Sequence, residues 1–294
     1  MINKTHEAVM VEEVLVHLLS DKSGMYVDCT FGAGGHSSLI LKELKTEGLL
    51  FGIDKDASVT DMAPEELIND NRFSLINDNF SNCHKHFLEN SLDGILIDLG
   101  ISSTQLDNSD RGFSFQENGP LDMRLNQDEG LSAAQWINTA KQKEIEKVFW
   151  ELGEERASRK IAKIICDTRV KKPLETTQDL VNIVLSCVPR RGKKHPATNI
   201  FRAIRMHINQ EIGELQTILE TACLLLKVGG RIAIISFHSI EDRVVKRFFQ
   251  GKDRISADTK FNSIGGKHIK PSKEEIKANP RSRSAILRVA ERAA

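Results

Sequence analysis

A glycine-rich turn between an apolar strand and a helix is the feature best suited to chemistry. It reads Tyr26-Val-Asp-Cys-Thr-Phe-Gly-Ala-Gly-Gly-His36. Glycine lets the backbone approach a ligand closely, and the helix that follows offers free N–H groups. Asp54 lies 19 residues after Gly35, at the end of the next apolar stretch, where a carboxylate can bind both hydroxyls of a ribose. The pattern predicts a nucleoside-cofactor pocket, although a tight turn that binds nothing can have the same glycines.

Two details favour S-adenosylmethionine over a nicotinamide dinucleotide as the cofactor. The glycines run Gly-Ala-Gly-Gly, and the third position of the dinucleotide fingerprint is Ser37 rather than glycine or alanine. Asp28 stands just before the turn, where a carboxylate repels a pyrophosphate but can hold the ammonium group of an amino acid. We therefore expect a cationic amino-acid cofactor.

Two more polar positions follow apolar stretches. Asp78-Asn79-Phe80 follows the third predicted strand, and Asp98-Leu99-Gly100 ends the fourth. Ligands of open α/β sheets bind at the carboxyl ends of the strands. We expect Asp78 or Phe80 to contact an adenine, whereas Asp98 either faces the ligand or is buried and satisfied by neighbouring amides.

Alternating strands and helices predict the scaffold that positions these residues. Apolar runs and helical patterns alternate over the first hundred residues and again near the end, which indicates parallel βαβ units and a doubly wound sheet. The predicted strands are 25–30, 49–53, 73–76, 92–99, 231–237 and 285–289, and the predicted helices are 9–19, 36–44, 209–227 and 239–249.

A helical segment interrupts this alternation. Only helical patterns occur between about 105 and 194, over 133–138, 143–152, 155–168 and 177–188. We therefore predict a discontinuous α/β domain, 1–106 with 206–294, and an inserted helical domain, 107–205.

Charge is distributed unevenly, although the net charge is zero. Residues 1–100 carry 7 Lys/Arg against 17 Asp/Glu, and residues 243–294 carry 14 against 5. The basic C-terminal end indicates either contact with a polyanion or a solvated face. Five scattered cysteines without a CxxC pair favour neither disulfides nor a metal site, and no apolar run is long enough to span a membrane.

A second basic stretch, Arg190 to Arg205, has six Lys/Arg and no acid. We interpret it as a loop that follows phosphates. Three phenylalanines, Phe113, Phe115 and Phe201, are either base-stacking or core residues. The cations predicted to contact nucleic-acid phosphates are Arg111, Arg124, Lys193, Lys194, Arg202 and Arg205.

The chain resembles the bacterial 16S ribosomal RNA (cytosine-N4)-methyltransferases along nearly its whole length. The matching segments, in order, begin at His6 (HEAVM), Tyr26 (YVDCTFGAGGHS), Phe51 (FGIDKD), Asn79 (NF), Asp93 (DGILIDLGISSTQLD), Arg111 (RGFSF), Pro120 (PLDMR), Gly153 (GEE), His195 (HPAT), Ile235 (ISFHSIEDR) and Asn279 (NPRSRS). The sequence departs modestly from the family pattern at Ala57–Met62 and at Asn199-Ile200, and neither departure removes a motif acid.

The resemblance implies a Rossmann-like class I methyltransferase fold in a bacterial cytoplasmic protein. It further implies S-adenosylmethionine as cofactor, 16S rRNA in the small ribosomal subunit as partner, and N4-methylation of a decoding-region cytidine. The resemblance also implies that the helical insertion, 107–205, recognises the substrate and helps to hold the RNA. A homodimer remains possible, and no metal is expected. The implied cofactor contacts are Gly34, Gly35, His36, Asp54, Phe80, Asp98 and Gln105.

Methylation of a cytosine amine needs in-line geometry and a proton acceptor. Asp98 is the leading candidate by position. Ser102, with Ser103, shapes the base pocket or caps a helix, and His238 either contacts the substrate or is structural. These three residues, Asp98, Ser102 and His238, are the catalytic candidates.

Three other functions remain open. A DNA amine methyltransferase would typically carry a Pro-Pro-Tyr-like run after the fourth-strand acid, where Leu99-Gly-Ile-Ser stands here. An oxidoreductase is disfavoured by the glycine pattern. A non-catalytic RNA-binding module is disfavoured by the intact glycine turn, Asp54 and Asp98.

Overall fold

The computed structural model describes residues 8–190, 195–252 and 261–294. Lys193 and Lys194 lie outside the described residues, as does the start of the predicted His6 motif. The chain forms two compact units: Met1–Gly100 with Gly213–Ala294, and Ile101–Ile212. The predicted borders, 106/107 and 205/206, fall inside the second of these units. No helix among the described residues is both long and apolar enough to cross a membrane.

A seven-stranded sheet forms the centre of the first unit. Its order is β3-β2-β1-β4-β5-β7-β6. Neighbouring strands from β3 to β5 pair in parallel, whereas β7 pairs antiparallel with both β5 and β6. The strands are β1 (Met25–Asp28), β2 (Leu49–Asp54), β3 (Phe73–Asn77), β4 (Leu92–Asp98), β5 (Leu226–Ser236), β6 (Phe261–Ile269) and β7 (Ile286–Arg292).

The predicted Rossmann-like alternation is thereby confirmed. The helices, in chain order, are α1 (Val11–Leu18), α2 (Gly35–Glu43), α3 (Val59–Met62), α4 (Glu65–Ile68), α5 (Ser103–Asp107), α6 (Ala133–Thr139), α7 (Gln142–Glu151), α8 (Ser158–Arg169), α9 (Thr177–Cys187), α10 (Ala197–Ile208), α11 (Glu211–Leu225), α12 (Ser239–Phe249) and α13 (Lys273–Ala278).

The sheet is buried on both faces because its central strands carry apolar side chains on both sides. In β4, Ile95 and Ile97 join one hydrophobic cluster, and Leu96 between them joins the other. Successive side chains of a strand point to opposite faces, so a continuous apolar run fits a strand covered on both sides.

The second unit has its own apolar core. Helices α6 to α10 contribute its buried residues, including Trp136, Phe149 and Ile204. Phe113 and Phe201 are 6% and 4% exposed within it. They are therefore core residues rather than exposed platforms for stacking bases. Phe115 packs against this core, with its ring 4.9 Å from that of Phe201.

Several element boundaries differ from prediction. The basic stretch 190–205 is not a loop throughout, because α10 begins at Ala197 and buries Ile200 and Ile204. The predicted helix 209–227 ends at Leu225, since Leu226 already pairs with Leu92 in the sheet. Strand β6 was not predicted, because it is mostly exposed and lacks an apolar alternation.

Candidate functional site at the carboxyl edge of the sheet

The glycine turn lies where the strand order reverses. β1 lies between β2 and β4, so the chain leaves the sheet at the switch point where open α/β sheets bind ligands. Gly34 has a φ of 76°, which favours glycine. A Cβ at Gly34 would lie 2.9 Å from the ring of Phe31. The turn is therefore closely packed and depends on glycine.

Asp28 braces this turn from inside the protein. Its Oδ2 accepts a hydrogen bond of 2.7 Å from Ser37 Oγ, and its Oδ1 accepts one of 3.2 Å from the Thr30 amide. Burial raises the pKa of this carboxyl, which is 1% exposed. The structure thus gives Ser37 and Asp28 a shared structural role and does not support the predicted contact between Asp28 and a ligand ammonium group.

Asp54, at the end of β2, connects its strand to the turn. Its Oδ2 accepts 2.8 Å from the Gly32 amide, and its Oδ1 accepts 2.9 Å from the Asp56 amide. Burial raises the pKa of Asp54 to about 6. Each carboxylate oxygen can accept a second hydrogen bond, so the predicted contact with a ribose remains compatible with these bonds.

Asp98, at the end of β4, has a carboxylate oxygen that accepts no hydrogen bond from the described residues. Its amide donates to Thr30 Oγ1 at 2.7 Å. Its buried Oδ1 has no hydrogen-bond partner among the described residues. Burial raises the pKa of Asp98 to about 7, with neighbouring carboxylates adding to that rise and His36 opposing it. A buried acceptor without a donor requires an explanation, and a bound ligand supplies one.

His36 faces Asp98 from the first turn of α2. Its Nε2 lies 2.9 Å from the Val9 carbonyl oxygen. A carbonyl oxygen only accepts, so Nε2 carries a proton and Nδ1 is directed to Asp98 Oδ2, 3.8 Å away. This distance is electrostatic contact rather than a hydrogen bond. His36 is 6% exposed, and it follows Gly34 and Gly35 at the start of α2, so its cofactor contact stays a prediction.

Residues after β3 form a small polar network. Phe80 is half-buried and packs against one core cluster, while Asp78 Oδ2 lies 2.8 Å from His86 Nε2. Asn79 donates to Glu214, which also binds Lys55 at 3.2 Å. Sequence analysis missed Lys55 and Glu214, since their contact joins positions 159 residues apart. Asp78 is already paired, which leaves Phe80 as the better candidate for contacting an adenine.

His238 caps α12 and approaches a buried acid. Its Nδ1 accepts from the Glu241 amide at 3.4 Å, and its Nε2 lies 2.9 Å from Glu241 Oε1, at ion-pair distance but outside hydrogen-bond geometry. Glu241, 2% exposed, also accepts from the Phe237 amide. These contacts favour the structural alternative for His238. Glu241 was not predicted, because nothing local marks it as buried.

Ser102 and Gln105 form a capping box at the start of α5. Ser102 Oγ accepts from the Gln105 amide at 3.2 Å, and Gln105 Oε1 accepts from the Ser102 amide at 3.1 Å. The helix-cap alternative for Ser102 is therefore confirmed. Their predicted catalytic and cofactor roles receive no further support from this arrangement.

Two of the predicted RNA-binding arginines are used to build the second unit. Arg111 donates to the carbonyl oxygens of Arg124 and Leu125 at 3.1 and 2.7 Å. Arg124 forms a two-pronged ion pair with Asp122, with both N–O distances 2.8 Å. Both guanidinium groups thus hold the backbone after α5.

The other two arginines, on α10, are also committed. Arg202 donates to the Gly153 carbonyl oxygen at 3.1 Å. Arg205 pairs with Glu211 through two N–O contacts of 2.9 Å, and each side chain is 14% exposed. Their geometry indicates structural roles, and RNA contact by these arginines stays a prediction.

Comparison with known proteins agrees with this architecture. The sequence profile of the MraW methylase family matches residues 3–293. A ribosomal RNA small subunit methyltransferase H from Marinomonas sp. is 46% identical over 98% of this chain and 97% of its own. One from Coxiella burnetii is 43% identical over 98% and 99%. A solved SAM-dependent methyltransferase from Aquifex aeolicus superimposes with a TM-score of 0.43 at 10% identity, over 96% of this chain and 89% of that one.

The sequence relatives, rather than the distant structural likeness, carry the assignment. The regions that match these relatives extend across both compact units. They include β1, β2 and β4, which end at Asp28, Asp54 and Asp98. The sheet and its glycine turn have the Rossmann-like class I methyltransferase fold that the motifs imply. The chain belongs to the MraW methylase family.

Proposed function

We propose that this protein transfers the methyl group of S-adenosylmethionine to N4 of one cytidine in the decoding region of 16S rRNA. The observation that carries the proposal is Asp98, whose buried Oδ1 lacks a partner at the switch point of the sheet. The names of the curated relatives support small-subunit rRNA as the substrate. The proposal goes beyond those names in specifying the methylated atom, N4 of a cytosine, and its place in the decoding region.

The residues at this edge fit a cationic methyl donor. Asp54 and Asp98 both have pKa values raised by burial, to about 6 and about 7. A positive charge nearby favours their ionised forms, whereas the pyrophosphate of a dinucleotide would oppose them. Gly34 and Gly35 let the main chain approach the ligand, Asp54 binds the ribose and Phe80 packs beside the adenine.

S-adenosylmethionine supplies a methyl group bonded to a cationic sulfur. The sulfur is the leaving group and keeps the electron pair of the broken carbon–sulfur bond. Asp98 Oδ1 accepts a hydrogen bond from the cytosine amine and orients its nitrogen toward the methyl carbon. As the new nitrogen–carbon bond forms and the carbon–sulfur bond breaks, one amine proton passes to the Asp98 carboxylate. His36, fixed by the Val9 carbonyl, holds its Nδ1 toward that carboxyl group, 3.8 Å from Oδ2.

The helical unit, Ile101–Ile212, recognises the rRNA in this proposal. Its motif arginines shape the unit, so we assign phosphate contact to its exposed cations. Arg156, Arg159 and Lys163 lie along and just before α8, and all three are exposed. They have no ion-pair partner among the residues that the structure describes. Arg159 and Lys163 are four residues apart on α8, so they occupy neighbouring positions on one face of the helix.

Mass spectrometry of ribosomal RNA from cells without this protein tests the proposal directly. We expect the loss of one N4-methylcytidine from 16S rRNA and its return when the wild-type chain is supplied. An unchanged set of modified nucleosides would overturn the proposal. Transfer of labelled methyl to double-stranded DNA, but not to small subunits, would instead support the alternative of a DNA amine methyltransferase.

A further inference from the structure

A polar network joins two loops at the carboxyl edge of the sheet. Lys55 follows β2, Asn79 lies two residues after β3, and Glu214 lies near the start of α11. Lys55 Nζ lies 3.3 and 3.2 Å from the two carboxylate oxygens of Glu214, and Asn79 Nδ2 donates to Oε1 of the same carboxylate. All three residues belong to the sheet-containing unit, and we call their side chains the Glu214 network.

The network lies where the pairing of two strands stops. The register of β2 with β3 ends at Asp54 and Asn77, the last residues of the two strands. Lys55 and Asn79 lie one and two residues past those ends. Strand pairing therefore does not reach these two residues, and the shared carboxylate joins them instead.

The charges of the network are largely buried. The side chains of Lys55 and Glu214 are 17% and 14% exposed. The cost of desolvating two charges offsets much of their attraction, so such a pair adds little net stability, although the removal of one partner is strongly destabilising. The pair therefore contributes a fixed geometry to the fold more than it contributes stability.

Lys55 transmits this geometry to the acid that ends β2. Lys55 directly follows Asp54 in the chain. The Asp54 carboxylate accepts hydrogen bonds of 2.8 and 2.9 Å from the amides of Gly32 and Asp56. The main chain of Lys55 thus lies between the acid and one of its two donors. Holding the lysine side chain restrains the carboxylate that the proposed function assigns to the ribose.

Asn79 transmits the same geometry to Phe80. Its Oδ1 accepts a hydrogen bond of 3.0 Å from the Ser81 amide and thereby caps the short 3₁₀ helix Phe80–Lys85, while its Nδ2 donates to Glu214. A side-chain amide can accept and donate at the same time, which a carboxylate cannot. The network thus anchors the helix whose first residue is Phe80.

We propose that the Glu214 network sets the separation of Asp54 and Phe80 and thereby positions the ribose and the adenine of S-adenosylmethionine. The proposal rests on the proposed function, which assigns the ribose to Asp54 and the adenine to Phe80. Lys55, Asn79 and Glu214 are positioning residues, because they act through the two loops rather than by touching the ligand. Loss of the network weakens cofactor binding and leaves the methyl-transfer step intact once the cofactor is bound.

Glu214→Ala tests the network, with Glu220→Ala as the matched control. Glu220 is an exposed glutamate of the same helix and is not part of the network. We expect Glu214→Ala to raise the dissociation constant of S-adenosylmethionine, measured by calorimetry, by about tenfold, which is comparable to the loss of one hydrogen bond to a charged group. Single-turnover methyl transfer at saturating cofactor should stay within about twofold of the wild type. Glu220→Ala should match the wild type in both measurements.

A second variant keeps the test decisive if Glu214→Ala does not fold. Asn79→Ser retains a side-chain oxygen that caps helices well, so the acceptor for the Ser81 amide is kept. It loses the amide donor that binds Glu214. We expect Asn79→Ser to keep the circular dichroism spectrum of the wild type and to weaken cofactor binding as Glu214→Ala does.

The outcomes separate this proposal from the proposed function. Equal dissociation constants for Glu214→Ala and Glu220→Ala overturn the proposal, as does wild-type affinity in a folded Asn79→Ser variant. A single-turnover rate that falls as far as the affinity also overturns it, because the network would then support the whole edge of the sheet rather than the nucleoside alone. In each case the proposed function stands if the wild type forms N4-methylcytidine, and it fails separately if the wild type forms none.

Discussion

The sheet edge and the helical unit both carry charged residues that the sequence predicts to be functional, yet their contacts in the structure differ. Asp98 keeps a buried oxygen without a donor among the described residues. Arg124 and Arg205 instead use their guanidinium groups on Asp122 and Glu211. Asp98 therefore retains an acceptor that a ligand can use, whereas the two arginines use their donors to stabilise the fold.

This difference distinguishes residues that can bind a ligand from residues that stabilise the fold. A buried polar group without a partner lowers stability, so a fold retains one where a ligand compensates for it. A paired arginine contributes most when its removal would leave a buried carboxylate alone. The same sequence pattern, a charged residue in a family motif, therefore has two physical meanings that only contacts distinguish.

Asp98→Asn should give the largest effect. We expect single-turnover methyl transfer to fall by about 10²–10⁴-fold, because the amide cannot accept the proton. Labelled methyl transfer to small subunits measures the rate. Asp93→Asn is the matched control at the other end of β4, where Asp93 binds Lys227 at 2.7 Å. Equal rates for the two variants would remove Asp98 from the chemistry.

Arg205→Ala should destabilise the helical unit by about 3 kcal/mol, since it removes the ion pair of the largely buried Glu211 carboxylate with Arg205. Thermal or denaturant unfolding measures the change. Arg159→Ala, which removes an exposed arginine from α8, should change stability by less than about 0.5 kcal/mol. Similar losses from both substitutions would contradict the division between structural and exposed arginines.

Asp54→Ala should weaken S-adenosylmethionine binding by about 10–100-fold, the value of one or two hydrogen bonds to a charged group. It also removes the acceptor of the Gly32 amide, which holds the turn. Calorimetry with S-adenosylmethionine measures the affinity, and circular dichroism checks the fold. Unchanged affinity would show that the carboxyl edge of β2 is not part of the cofactor pocket.

The stability difference between Asp98→Asn and wild type should depend on pH. The pKa of Asp98 is raised to about 7 in the folded chain, against about 3.9 when unfolded. The folded state thus holds the proton more tightly, and wild-type stability declines as pH rises from about 4 to about 7. The asparagine side chain does not titrate.

Denaturant unfolding at two pH values measures this difference. We expect Asp98→Asn to gain about 3 kcal/mol relative to wild type between pH 5 and pH 8, at about 1.4 kcal/mol for each pH unit between pH 5 and the folded pKa of about 7. Bound S-adenosylmethionine should reduce the gain, because a cation near Asp98 lowers its pKa. A difference independent of pH would mean that Asp98 is ionised throughout this range.

The sequence alone determined the parallel strands of the first hundred residues and the acids at their ends. The four strands and two helices predicted there match the structure within about two residues, because apolar runs alternate with helical patterns and end at Asp28, Asp54 and Asp98, whereas the short α3 and α4 were not predicted. These signals are local: each strand carries its own hydrophobic run and its own terminal acid. Parallel pairing then brings the acids to one edge.

Only the tertiary structure decided what each polar group does. Asp28 and Ser37 are nine residues apart, and their 2.7 Å hydrogen bond shows that Asp28 faces inward. The pairing of Arg205 with Glu211 and the burial of Glu241 likewise depend on packing rather than on spacing in the chain. Burial and partner geometry arise from contacts between distant segments, so a local pattern identifies a charged residue without telling whether its charge is already neutralised.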